Sequence, residues 1–561
     1  MSEIRKNWYK ELVVYQIWPR SFCDGNGDGI GDLPGIISKL DYIQSLGANA
    51  IWLSPIYASP QKDYGYDIAD YRAIAPEYGT MDDFKELLAG AHARGMRIIM
   101  DLVINHTSDQ HSWFLNSKQS VHNPYHDYYI WRKGKNGGKK PPNNWLATFP
   151  GPAWKYVPEI DEYYLHLFAE EQPDLNMDNP KVREEIKGIM RFWLDMGVDG
   201  FREDVITFIS KAEGLPNGFP LMPVARGIEH YKSGPHLHEY LDEFRAVLDE
   251  YDVMTVGEAP QMTPELALTF IEENDKQKLN MMFHFQHMEA DCLFFSWIRT
   301  PFNLKKLKKA FSRWQTELHG KGWNALYLEN HDQPRVIDRY GSLKFREESA
   351  KMLATMYLCQ SGTPFIYQGQ EIGMTNIGLP ELEQYEDVAT RNVYKLGRSF
   401  GLSHKYIMNR AKYASRDNAR TPVQWSAEKN AGFTTAQKAW FHINPNYKDI
   451  NVAAAEKDPN SILNYYRSLL RLRAENPVFL YGDYREHNVQ SDELFVYERN
   501  YEGKRLLVVA SFSANSVNFE TPKGFALQDG IFLLGNYREN AQTSNSILLK
   551  PYECRIYLFN K

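Results

Sequence analysis

Arg202 and Asp204 stand two residues apart in the stretch Asp199-Gly200-Phe201-Arg202-Glu203-Asp204-Val205-Ile206. The stretch reads as a short, apolar-flanked strand that ends in charge. Gly197 and Gly200 set it off from the helix-like run Val182 to Met196. Side chains alternate in direction along a strand, so Arg202 and Asp204 face one way while Phe201 and Glu203 face the other. A guanidinium two residues before a carboxylate, on the same face, orients the carboxylate and favours its ionised form. An ionised, oriented carboxylate at a strand's end suits nucleophilic attack on a sugar. A buried structural ion pair would leave the same trace, and this pair of residues alone does not separate the two readings.

Three further polar clusters bear on the choice: Asp101-Leu102-Val103-Ile104-Asn105-His106, Gly257-Glu258-Ala259 and Asn330-His331-Asp332. Each lies at the C-terminal end of an apolar run. Eight such runs read as strands: Leu12 to Trp18, Ala50 to Leu53, Arg97 to Val103, Gly200 to Asp204, Val253 to Gly257, Leu279 to Phe283, Ala325 to Leu328 and Pro364 to Tyr367. Helix-like segments separate them, among them Leu33 to Leu46 and Met81 to Arg94. Strand and helix in alternation predict an α/β fold with a parallel sheet, and eight strands predict a closed (β/α)8 TIM barrel. Active sites of such barrels lie at the C-terminal ends of the strands. The four clusters fall at the ends of strands three, four, five and seven, where chance would have scattered them over helices and N-terminal ends.

The chain of 561 residues is long enough for a large catalytic domain and a smaller module. A net charge of -7 argues against nucleic acid as a partner, and the 14% aromatic content suits stacking on sugar rings as well as cores. No signal peptide or membrane-length apolar stretch is evident, and Cys23, Cys292, Cys359 and Cys554 show no metal-ligand spacing. A cytoplasmic protein, free of membrane and nucleic acid, is the expectation, with a monomer favoured. The loop Asp24 to Asp32 carries oxygen side chains at relative positions 1, 3, 5 and 9 and Gly at 6, the front half of a calcium-loop pattern. Asp24, Asn26, Asp28, the Ile30 carbonyl and Asp32 would hold a structural Ca²⁺ (or Mg²⁺). Gly35 stands where such a loop has its bidentate Glu, and a Gly/Asp turn without an ion is the alternative.

The four clusters in this order resemble the alpha-amylase clan of retaining glycoside hydrolases. The resemblance is closer to the oligo-1,6-glucosidase subfamily, through Gln172-Pro-Asp-Leu-Asn176, Asp63-Tyr-Gly-Tyr66, Arg416-Asp-Asn-Ala-Arg420-Thr-Pro and the loop at Asp24. It runs nearly end to end. It implies Asp204 as nucleophile, Glu258 as general acid/base and Asp332 as transition-state stabiliser. It also implies Asp63, Tyr66, His106, Phe168, Arg202, His331 and Arg420 around the first sugar, with an Asp63–Arg420 pair blocking passage of a longer chain. Phe149, Gln172 and Val205 complete the candidate substrate-binding set. Lys211 matches the position where amylases carry an interdomain calcium.

Among relatives, Val after the nucleophile accompanies α-1,6 preference and Thr accompanies α-1,4, so Val205 points to isomalto-oligosaccharides. An exo-acting α-glucosidase without organic cofactor is the implied activity. Trehalose-6-phosphate hydrolase, sucrose isomerase or maltase activity would use the same chemistry. Trp297 to Asn303 lacks the arginine-rich motif of the isomerases. A non-catalytic barrel of the transporter heavy-chain kind would need an anchor and could dispense with the three carboxylates. Glu203 departs from the family pattern, in which the position is more often apolar, and reads as a paired or partly solvated charge.

The barrel is expected over residues 1–106 and 173–478. A lobe over 107–172 would wall the active site, and a second insertion of about 375–450 would follow strand eight. From residue 479 to 561 short strands with Gly/Asn turns predict an antiparallel β-sandwich domain. His111, His122 and His126 in the lobe lack zinc-ligand spacing and read as surface residues.

Overall fold

The computed structural model describes residues 7–274, 276–293, 295–537 and 544–560. Eight parallel strands close a barrel in chain order: β1 (Val14–Ile17), β2 (Ala50–Leu53), β3 (Arg97–Leu102), β4 (Gly200–Glu203), β5 (Met254–Glu258), β6 (Met281–Phe283), β7 (Trp323–Leu326) and β8 (Thr363–Tyr367). β8 returns to pair with β1, Phe365 opposite Val14. Nearly every strand residue is buried, as a parallel sheet covered on both faces requires. The register sets Asp101 beside Arg202 and Arg202 beside Val256, so the charged ends of β3 and β4 meet at one level. Gly200 permits this. A Cβ there would stand 2.0 Å from the Met254 carbonyl oxygen, and φ is +153°.

The helices bury one stripe each against the barrel. Pro180–Asp195 starts with Asn179 as its cap and Pro180 at the first position, and turns Val182, Ile186, Ile189, Met190 and Trp193 inward. The helix read over Leu33 to Leu46 is two helices, Leu33–Ile37 and Leu40–Leu46. Ser38 Oγ donates to the Gly35 carbonyl at 2.7 Å, a local bond that competes with helix continuation.

Ahead of helix Pro180–Asp195, the segment after β3 forms a lobe with a short helix, Ser112–Ser117, a 3-10 turn, His126–Tyr128, and a three-stranded sheet of Trp131–Arg132, Glu162–Leu165 and Trp154–Val157. After β8, helices Val388–Ser399 and His404–Ala414 lead to a 3-10 turn, Arg416–Asn418. The C-terminal module holds β9 (Arg485–His487), β10 (Leu494–Tyr501), β11 (Lys504–Ser511), β12 (Val517–Glu520), β13 (Ile531–Gly535), β14 (Ser546–Leu549) and β15 (Cys554–Asn560). A five-stranded antiparallel sheet, β9-β10-β11-β15-β13, is joined by the pair β12-β14. Alternation divides its residues: Leu494, Val496, Leu507 and Val509 pack with Phe519 and Leu549, whereas Phe495, Tyr497, Leu506 and Val508 join the barrel's core.

Candidate active site

The lumen at the C-terminal ends of β3, β4 and β5 is organised by one guanidinium. Arg202 Nη1 lies 2.7 Å from Asp101 Oδ1 and 2.6 Å from Asp204 Oδ1, and its Nη2 lies 2.7 Å from Glu258 Oε2. The indole N–H of Trp52 and the hydroxyl of Tyr66 donate to Asp101 Oδ2 at 3.2 and 2.9 Å. Asp101 thus has fixed donors on both oxygens, which orient it towards Arg202 and offset part of the cost of its burial.

Three buried acids share one buried cation. Burial pushes Asp204 up to about 7, against the pull of Arg202, and pushes Glu258 to about 7 as well. Arg202 favours the ionised form of Asp204, as expected, but burial outweighs it. Burial raises Asp101 too, to about 6, so the proton held near neutrality lies mainly between Asp204 and Glu258. That is the state in which one carboxyl attacks while the other donates.

The opposite wall comes from the loops after β2, β7 and β8. Arg420 Nη2 stands 2.8 Å from Asp332 Oδ1, and its Nε donates to the His331 carbonyl at 3.0 Å. Burial raises the Asp332 pKa, but His331, Arg416 and Arg420 outweigh it and hold the carboxyl well below its usual range. Asp63 is paired by Arg416, at 2.9 Å, rather than by Arg420. Arg416 also reaches Asp387 at 2.8 Å and Asp332 at 3.3 Å. The two arginines sit four residues apart at a 3-10 turn, and Asp387, caught from the start of helix Val388–Ser399, turns Arg416 rather than Arg420 towards Asp63.

From the lobe side, Gln172 Nε2 approaches Asp63, the Tyr66 carbonyl and His106 at 3.2–3.4 Å. Phe168 packs on His106 with centroids 5.0 Å apart, and Phe149 meets Phe168 edge-on at 5.5 Å. The Arg416 guanidinium lies 4.6 Å from the Phe149 ring, so lobe and second insertion touch over the pocket. Lys211 bridges Asn105 Oδ1 at 2.8 Å and Asp174 Oδ2 at 2.9 Å, tying β3's end to the lobe's return strand with an ammonium.

Val205 has φ +36° and ψ +41°, a left-handed backbone that costs a β-branched residue roughly 1–2 kcal/mol. Its N–H donates to Glu258 Oε2 at 3.2 Å. The side chain is buried in the lobe's apolar cluster with Phe208 and Leu165. Nothing in the sequence announces this turn, because Val favours extended backbone. Glu203 corrects a second expectation. It is neither paired nor solvated: it is 2% exposed, Oε2 has no hydrogen-bond partner among the described residues, and burial drives its pKa to about 8. The pleat turns it out of the lumen into the dry layer between strand and helix.

His111 is likewise buried rather than superficial, its Nδ1 capping the helix Ser112–Ser117 through the Trp113 N–H, while His126 contacts Glu162 at 3.2 Å and His122 is exposed. In the Asp24 loop, Asn26, Asp28 and Ile30 donate their N–H groups to the side chains of Asp24, Asn26 and Asp28, at 2.8–3.0 Å. Asp32 accepts from Gly25, Asn26 and Gly35. Among the described residues no group of three or more His, Cys, Asp and Glu side chains converges as a metal cage, so an ion here would depend on Asn26 and the Ile30 carbonyl as well. No helix among them is long and apolar enough to cross a membrane.

The alpha-amylase catalytic-domain profile matches residues 16–482. The chain is 52% identical over 557 residues to an oligo-1,6-glucosidase of Halalkalibacterium halodurans, covering 98% of this chain and 99% of that one. Among solved structures, trehalose-6-phosphate hydrolase of Bacillus licheniformis superposes with a TM-score of 0.92 at 44% identity, covering 99% and 100% of the two chains. Isomaltulose synthase from Klebsiella sp. LX3 superposes with a TM-score of 0.95 at 42% identity, covering 98% and 99%.

Proposed function

The chain belongs to the alpha-amylase family, and we propose that it is an exo-acting retaining α-glucosidase. Its substrates are α-1,6 links at the non-reducing end of short isomalto-oligosaccharides. The observation that supports the exo reading is the Asp63–Arg416–Asp332 network, read as a wall behind a single terminal sugar. Near full-length likeness to oligo-1,6-glucosidases supports the linkage.

Asp204 attacks the anomeric carbon while Glu258 protonates the leaving oxygen, giving a covalent glucosyl-enzyme. Water then attacks, with Glu258 as base. A sugar hydroxyl in place of water gives transglycosylation. Asp332, held ionised by two arginines, stabilises the positive charge that develops on the ring. No organic cofactor enters this chemistry.

The partner is a small carbohydrate, and a monomer in the cytoplasm is the proposed state. All four cysteines are buried free thiols, in keeping with a reducing compartment. The Asp24 loop is proposed to hold a structural Ca²⁺ or Mg²⁺ through Asp24, Asn26, Asp28, the Ile30 carbonyl and Asp32. Its donor set is all oxygen, as hard cations prefer, and an oxygen that caps an N–H keeps a lone pair for a metal. Initial rates on isomaltose, maltose, sucrose, trehalose and trehalose-6-phosphate test the substrate. Isomaltose is expected to give the highest kcat/KM, with α-glucose as first product. Preference for any of the other four, or isomaltulose formed from sucrose, would replace the reading.

A further inference from the structure

Gln16 is a polar residue inside an apolar strand. It lies in β1, 1% exposed, and its Nε2 is 2.8 Å from His331 Nδ1. On the far side of that imidazole, Nε2 lies 3.0 Å from Asp332 Oδ2, close but out of line for a hydrogen bond. The ring has little freedom to turn. It is sandwiched between Trp18, stacked at 5.1 Å, and Tyr66, stacked at 5.3 Å with planes 8° apart. We propose that Gln16 is a positioning residue for the glycosidic reaction: it fixes His331 as the Nε2–H tautomer, so that the imidazole turns an N–H rather than a lone pair towards Asp332.

An amide NH₂ only donates, so Nδ1 opposite it must be a lone pair. Burial disfavours a second proton on His331, and the single proton of a neutral imidazole then lies on Nε2. Reversing the amide would put Oε1 against Nδ1, demand a proton there, and leave the Nε2 lone pair facing a carboxylate oxygen at 3.0 Å. Two acceptors at that distance repel, so the network selects the first arrangement. The charged groups that face the ring are Asp332, Arg202 and Arg420, with Tyr66 beside it. Both arginines oppose a second proton, and Asp332 alone favours one.

A neutral donor differs from an imidazolium here. It faces Asp332 without cancelling its charge, so the carboxylate keeps its full attraction for the ring's developing positive charge. An orienting group that sets a histidine tautomer has a large kinetic effect in hydrolases of other folds.

The test begins without substrate, so that it stands apart from the glucosidase reading on which its kinetic arm rests. Nitrogen shifts of ¹⁵N-histidine-labelled protein, assigned by comparison with His331→Gln, are expected to show Nε2 protonated and Nδ1 bare at neutral pH. A protonated Nδ1 would overturn the inference. Gln16→Glu then swaps the donor for an acceptor at constant shape. Its kcat on isomaltose is expected to fall about 10²-fold at pH 7 with KM within threefold. The deficit should shrink as pH falls, because an imidazolium donates from both nitrogens and restores the contact to Asp332. Gln16→Met, apolar and of similar length, should lose less, about fivefold, at every pH. Equal, pH-independent losses in the two variants would mean that Gln16 only fills space, and wild-type kinetics in Gln16→Glu would mean that it does not set the tautomer.

Discussion

Arg416 and Asp63 are 353 residues apart in the chain and 2.9 Å apart at the pocket wall. The pair joins the loop after β2 to the turn after helix His404–Ala414. Asp387 completes it from a third segment. One arginine therefore holds three loops in register.

Arg416→Gln is expected to lower kcat/KM on isomaltose by about 10²-fold or more, since it unpairs Asp63 and Asp387 and removes one of the two cations on Asp332. Initial-rate kinetics across a chain-length series would check it. Unchanged kcat/KM would show that this pair does not form the wall.

Asp204→Asn keeps the shape of the nucleophile and removes its charge. The variant should fold, with melting close to wild type, and lose nearly all turnover. A folded variant of near-normal activity would remove Asp204 from the mechanism.

The acid pair predicts a pH profile. Asp204 and Glu258 share a proton with values of about 7 each, so kcat/KM should fall above about 7 as that proton leaves and the general acid is lost. On the acid side a second proton blocks the nucleophile. Rates from pH 4 to 9 would decide it. A profile still rising at pH 8.5 would contradict the shared proton.

Glu203 predicts a stability effect with a definite sign. Its folded pKa, about 8, lies above the unfolded value near 4.3, so the folded state keeps a proton that the unfolded chain releases. That contribution is fully present below about pH 4.3 and is lost as pH rises towards 8. Glu203→Gln removes the ionisation, and should raise the melting temperature at pH 8 by roughly 1–3 °C while leaving it within 1 °C at pH 5. Equal shifts at both pH values would show that ionisation is not the cause.

For the Asp24 loop, Asp28→Ala should lower the melting temperature, and chelator should lower that of the wild type. Elemental analysis of protein purified without chelator is the direct check. Absence of a stoichiometric divalent ion would end the proposal.

The barrel was legible because parallel strands covered on both faces are unbroken apolar runs, and because charge concentrates where those runs end. Asp101, Arg202, Glu258 and Asp332 follow from that rule. The partner of Asp63 did not, since Arg416 and Arg420 share a motif and their choice depends on Asp387, a residue with no motif of its own. Glu203 was placed on the correct face by alternation, but sequence could not say how dry that face is. Gln16 carried one signal, a lone amide in the apolar run Leu12 to Trp18, and its meaning lies across 315 residues of chain. The turn at Val205 runs against the preference of its own side chain, so no local signal exists for it.

That turn sets two selection pressures against each other. In a saturation library at position 205, growth at high temperature would enrich Gly and Asn, which occupy left-handed backbone at little cost. Screening on isomaltose would enrich the parent residue, whose branched side chain fills the lobe's cluster. Variants that pass both screens should be scarce, and a consensus drawn from either alone would mislead an engineer. Position 205 is where thermal hardening of this enzyme would first be felt as a change in what it cuts.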